Sequence, residues 1–126
     1  MAFGASAGGL EAFAAILKAL PPDLGAAVVL ILHLAPDHES VVSELLPRWT
    51  SMPVDVAVEG MAVERNHIYV IPPDRRMTLS GGELRLEPRA GLYHPIDYFF
   101  RSLAKDLGSR AIAVILSGSA PRTKRR

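Results

Sequence analysis

Ala27-Val-Val-Leu-Ile-Leu-His33 runs through six apolar residues without a polar break before its closing histidine. A strand with one wet face alternates apolar and polar residues. An unbroken run of strand length suits a strand covered on both faces, the usual condition in a parallel sheet. Ala111-Ile-Ala-Val-Ile-Leu116 is a second such run. Parallel strands need crossover helices, and the chain supplies helical patterns between its strands.

Met1-Ala-Phe3 reads as the end of a short first strand, about three residues long, entering a glycine turn. Leu10 to Leu20 carries helical apolar spacing, and Pro21-Pro22-Asp23 stops it. Glu39 to Trp49 reads as a helix, with Ser40 and Asp37 as capping groups. Val54 to Val58 and His67 to Ile71 are further strands, the latter closed by Pro72-Pro73. Met77-Thr-Leu79 and Glu83-Leu-Arg-Leu86 flank Ser80-Gly81-Gly82 and read as a hairpin. Pro95 to Leu107 is an amphipathic helix, with Gly108 past its end. The order predicts a doubly wound α/β domain with a mostly parallel sheet and a hairpin insertion, incomplete at the C-terminus. Residues 1–118 form that domain, and 119–126 are a basic tail that does not continue it.

The net charge of +1 is a property of that tail. Setting aside Arg122, Lys124, Arg125 and Arg126 leaves ten basic against thirteen acidic residues, a net of −3. No basic stripe points to nucleic acid. The absence of cysteine excludes disulfides, thiolate metal sites and cysteine nucleophiles, and fits a cytoplasmic protein. No apolar stretch reaches the roughly 18 residues of a membrane helix, and no basic segment marks a signal peptide.

Sites in open α/β sheets form at the carboxyl ends of the strands. Three polar groups stand there: Ser6, His33 and Ser117. Gly4-Ala-Ser-Ala-Gly8 matches G-x-S-x-G between a strand and a helix, the context of a nucleophile elbow. The amides following Ser6, at Ala7 and Gly8, are candidate oxyanion donors. A plain helix-capping turn explains the same residues equally well, and a phosphate-binding loop is a third option. His33 supplies an imidazole suited to take a serine proton. His38 is a possible partner of His33 on a metal, but no third ligand has suitable spacing. His67 and His94 read as solvated, Asp97 as a helix first-turn carboxylate, and Trp49, Met61 and Pro72-Pro73 as structural.

GASAGGLEAF (4–13), HLAPDH (33–38), MPVDVAVEGMAVERNHIYVIPPDRRMTL (52–79), PIDYFFRSLA (95–104) and AIAVILSG (111–118) together resemble the catalytic domain of chemotaxis protein-glutamate methylesterases, the CheB family. The blocks look most like versions fused to a chemoreceptor methyltransferase. The resemblance implies hydrolysis of glutamate γ-methyl esters on the cytoplasmic helices of chemoreceptors, within phosphorelay signalling. Glutamine deamidation is a companion activity. It implies no cofactor and no metal, and the charge and hydropathy read above add no nucleic-acid partner and no membrane insertion. It further implies a Ser-His-Asp triad in which Ser6 is the nucleophile and His33 the base.

The triad acid is missing from the pattern. The family's S/T-G-x-G-x-D-G turn begins here as Ser117-Gly118-Ser119, and Arg122 then stands where the aspartate belongs. The resemblance thus implies a domain trimmed slightly at its start and heavily at its end, with very weak activity. A reading-frame change after Ser119 accounts for the abrupt switch to basic residues. The alternative is a non-catalytic remnant that only binds a receptor segment or partner.

Overall fold

A computed structural model describes residues 1–6, 9–33, 44–72, 74–88 and 94–116. Five strands form the main sheet: β1 (Ala2–Ser6), β2 (Val28–His33), β3 (Val54–Val56), β5 (Ile68–Val70) and β8 (Ala113–Leu116). Their order is β3-β5-β2-β1-β8, and every pairing is parallel. Helix α1 (Leu10–Ala19) covers one face, and α2 (Pro95–Leu107) covers the other.

The apolar run of β2 does what its composition demands. Val28, Leu30 and Leu32 enter the α1-side core with Phe3, Phe13 and Leu17. Val29 and Ile31 enter the opposite core with Phe99 and Leu103 of α2. Both faces are dry, so an apolar residue is required at each of positions 28–32 of β2. On the α1 side, Phe3 and Phe13 pack with ring centroids 5.3 Å apart.

A second, antiparallel sheet has the order β4-β7-β6, with β4 (Met61–Ala62), β6 (Arg75–Ser80) and β7 (Glu83–Pro88). Gly81 and Gly82 have φ of 59° and 77°, the positive values their two-residue turn needs. Asp106 of α2 accepts the Gly81 N–H at 2.8 Å, and Leu79 N–H donates to Ser102 Oγ at 2.9 Å. These bonds fix the hairpin to α2.

Glu59 ties the preceding loop to β7. Its carboxylate accepts the Leu86 N–H at 2.7 Å and lies 3.3 Å from Arg85. The backbone hydrogen bond, helped by Arg85, holds this carboxyl below the usual carboxylate range. A lowered carboxyl stabilises the fold above its unfolded pKa, and that contribution fades as pH falls through the folded value. Amide exchange of Leu86, corrected for intrinsic rate, is expected to lose protection on acidification. Glu59→Gln is expected to remove that pH dependence.

The elements depart from the sequence expectation in places. β1 is five residues long rather than about three, because Gly4 and Ala5 stay in the ladders to both β2 and β8 and Ser6 in that to β2. Within 39–49, Glu44 and Leu45 are helical, Leu46–Arg48 form a 3-10 turn and Trp49 caps it; residues 39–43 lie outside the described residues. β3 stops at Val56, and the hairpin strands run longer than expected. β8 has the composition of a strand buried on both faces but lies at the sheet edge, with Ile115 65% exposed and Ile112, just before it, 56%. No helix among the described residues is long and apolar enough to cross a membrane.

Candidate active site

β1 and β2 run side by side in phase, so their last residues coincide. Ser6 is the register partner of His33. Parallel neighbours lie about 4.8 Å apart, so the two residues stand side by side at the carboxyl edge of the sheet. Ser6 ends β1, and His33 ends β2. The sequence placed Ser6 in the turn; it is instead the last ladder residue.

β1 also marks the topological switch point. Its connection through α1 leads to β2 on one side, whereas β8 joins on the other. Crevices at such points, outside the carboxyl ends, are where open α/β sheets bind ligands. Leu116, the last residue of β8, pairs one step below Ser6, at Ala5. Three strand ends thus meet at one edge, as expected, although Ser117 itself lies outside the described residues.

Two glycines let helices close in on this edge. Gly9 is the N-cap of α1 and has no side-chain capping bond. A Cβ on it would collide with the Leu116 carbonyl, so α1 starts directly against the end of β8. Gly4 in β1 faces Ile96 of α2, where a Cβ would come within 2.5 Å of Ile96 Cγ2. The small-residue stretch is therefore more than a flexible turn, since two of its glycines set helix-to-sheet distances. The α1 start next to the Ser6 strand end leaves first-turn N–H groups at the site edge. Ala7 and Gly8, the oxyanion candidates, lie outside the described residues, as do His38 and Arg122.

His67 precedes β5, with Nδ1 2.9 Å from the Arg65 carbonyl. His94 is the N-cap residue of α2, and Asp97 occupies its first turn as expected. A group that sequence reasoning missed lies beside them. Arg76 of β6 stacks over the Tyr98 ring at 4.0 Å, and its Nη2 donates to Tyr98 Oη at 3.1 Å. Tyr98 donates to Glu87 at 2.5 Å, and this bond to a carboxylate raises the phenol above its ordinary pKa. Arg76 and Tyr98 are 22 positions apart, and only the hairpin's docking on α2 unites them.

Comparison with known proteins supplies relatives for this arrangement. The family model described as CheB methylesterase matches residues 1–121. A 104.1 kDa uncharacterized protein of Rhodobacter capsulatus is 46% identical over 80 residues, which are 62% of this chain and 8% of that protein. The protein-glutamate methylesterase/protein-glutamine glutaminase 1 of Bordetella avium is 37% identical, over 91% of this chain and 35% of its own length. That of Yersinia pestis is 34% identical, over 94% and 36%. The crystal structure of the Thermotoga maritima CheB methylesterase catalytic domain superposes with a TM-score of 0.81 at 25% identity, covering 90% of this chain and 64% of that one. The chain thus spans about a third of the length of the two methylesterase relatives.

Proposed function

This chain belongs to the CheB methylesterase family, and on that premise we propose that it carries the nucleophile and base of a protein-glutamate methylesterase. The observation behind this reading is the Ser6–His33 register at the carboxyl ends of adjacent strands. Ser6 Oγ attacks the γ-carbonyl carbon of a methylated glutamate while His33 takes its proton. The oxyanion of the tetrahedral intermediate is met by amides at Ala7 and Gly8 and by the start of α1. Collapse expels methoxide, which leaves as methanol with the proton returned by His33. Water, activated by His33, then cleaves the glutamyl–Ser6 ester to give the free glutamate. With a glutamine side chain the leaving group is ammonia, which accounts for the deamidase activity that the relatives' names join to the esterase.

The substrate under this reading is a glutamate-rich helix of a chemoreceptor's cytoplasmic part, and the chain works in the cytoplasm. The long Rhodobacter relative, with the matched stretch spanning 8% of it, leaves room for fusion to a methyltransferase.

Arg122 at the position matched to the acid favours a second reading, a chain that binds the receptor segment without turnover. In a serine protease, replacing the acid by its amide costs about 10⁴ in kcat. A cation there opposes the imidazolium further. Methanol release from a helical peptide carrying a glutamate γ-methyl ester separates the readings. Slow release above the buffer rate, blocked by a serine-directed fluorophosphonate, is the expected result. Peptide binding with no release supports the second reading, and release unaffected by the fluorophosphonate removes serine from the chemistry.

A further inference from the structure

We propose that the cleft between β6 and α2 is a specificity subsite. It reads an acidic side chain on the helical segment that carries the ester, with Arg76 and Arg101 as its reading residues. The inference rests on the substrate class proposed above. The cleft holds about 300 Å³ and is lined by Arg76, His94, Asp97, Tyr98 and Arg101.

Arg76 is built into place rather than trailing in solvent. Its side chain is 27% exposed, backed by the Tyr98 ring and steered by Glu87 at 3.6 Å. Glu87 in turn accepts the Tyr98 hydroxyl, so its charge is shared between two partners. The bonds that fix Arg76 use only Nη2, and its Nε is buried with no hydrogen-bond partner among the described residues. No hydrogen bond among the described residues takes Nη1, and a carboxylate in the cleft can bind the guanidinium there as a charge-assisted acceptor. Arg101 adds a second guanidinium, with no ion pair among the described residues. Asp97 opposes it from the first turn of α2, where the helix dipole offsets part of a negative charge.

The cleft is also in the right place. Ile96, one residue before Asp97, packs on Gly4, two residues before Ser6. From Ile96 to Arg101 the helix rises about 7.5 Å, roughly one and a half turns. Gly4 lies two strand residues, about 6.6 Å, from Ser6, so a substrate helix with its ester at the Ser6 edge reaches the cleft with side chains one to two turns away.

Fluorescence anisotropy with two labelled helical peptides tests the subsite. One carries glutamates four and seven residues from the methyl ester, and the other has glutamine at those positions. Wild-type protein is expected to bind the acidic peptide about tenfold more tightly, a preference that weakens with salt. Arg101→Gln, an exposed change, is expected to cut the preference to roughly threefold. Arg76→Lys, which keeps the charge but loses the planar fork, is expected to reduce it as well. Equal binding of the two peptides, binding of neither, or variants that keep the full preference overturns the proposal. Fluorophosphonate capture of Ser6 in the same wild-type sample reports separately on the catalytic reading. Capture without acidic preference removes the subsite and leaves the nucleophile. Acidic preference without capture does the reverse.

Discussion

Ser6→Ala is expected to abolish fluorophosphonate capture at this position, and His33→Gln to slow it by about 10² to 10⁴, the span that a general base contributes. A free serine hydroxyl is a weak nucleophile, so reaction at one serine among the nine in the chain requires local activation. His33, the register partner of Ser6, is the imidazole proposed to give it. Peptide mapping of the labelled protein checks the result. Label spread over several serines, or a His33→Gln protein labelled at the wild-type rate, dissolves the pair. Alanine is a small change at the end of a strand, so the thermal midpoint of Ser6→Ala should stay close to the wild-type value. A shared loss of label and of folding would not count as chemistry.

Gly9→Ala carries the largest expected structural effect, and its sign is the informative part. Gly9 has φ −85° and ψ −7°, a right-handed helical conformation that alanine adopts freely. Replacing glycine by alanine at such a position ordinarily stabilises by about 0.4–1 kcal/mol, through the unfolded chain. Here the added Cβ runs into the Leu116 carbonyl, a backbone group that no rotamer change can move aside. Overpacking of this kind costs about 1–3 kcal/mol. For a domain of this size that lowers the midpoint by roughly 4–12 °C. Thermal unfolding followed by circular dichroism decides the matter, and a raised midpoint would mean that α1 does not abut β8. The same displacement pulls the first turn of α1 away from the Ser6 edge. Capture by the fluorophosphonate should therefore slow in the folded variant too.

How much of this was legible in the sequence depended on whether the signal was local. Helix α2 runs from Pro95 to Leu107 as read, because proline, apolar spacing and Gly108 all act within the segment itself. β2 was legible for the same reason. β4 was not: Met61-Ala62 is a two-residue strand defined by its pairing with the distant Leu84 and Glu83. β8 carries the composition of a central strand yet forms an edge, since composition reports apolar demand and not who meets it. The nearness of Ser6 and His33 followed from two strand ends in a predicted order. Their shared register did not, because phase between strands is set by the whole ladder. The Arg76–Tyr98–Glu87 group had no sequence signal, since its members meet only through the packing of a hairpin on a helix.

The two separate cores have a consequence for how such a domain can diversify. The sheet acts as an insulating layer, with Phe13 and Leu17 on one side and Phe99 and Leu103 on the other. Side chains that share no partner contribute to stability independently. Drift in the hairpin and α2, where the acidic side chain is read, can then proceed without repacking the α1 layer that supports the Ser6 strand. Ile96 of α2, seated on Gly4, is the point where such drift meets the Ser6 strand.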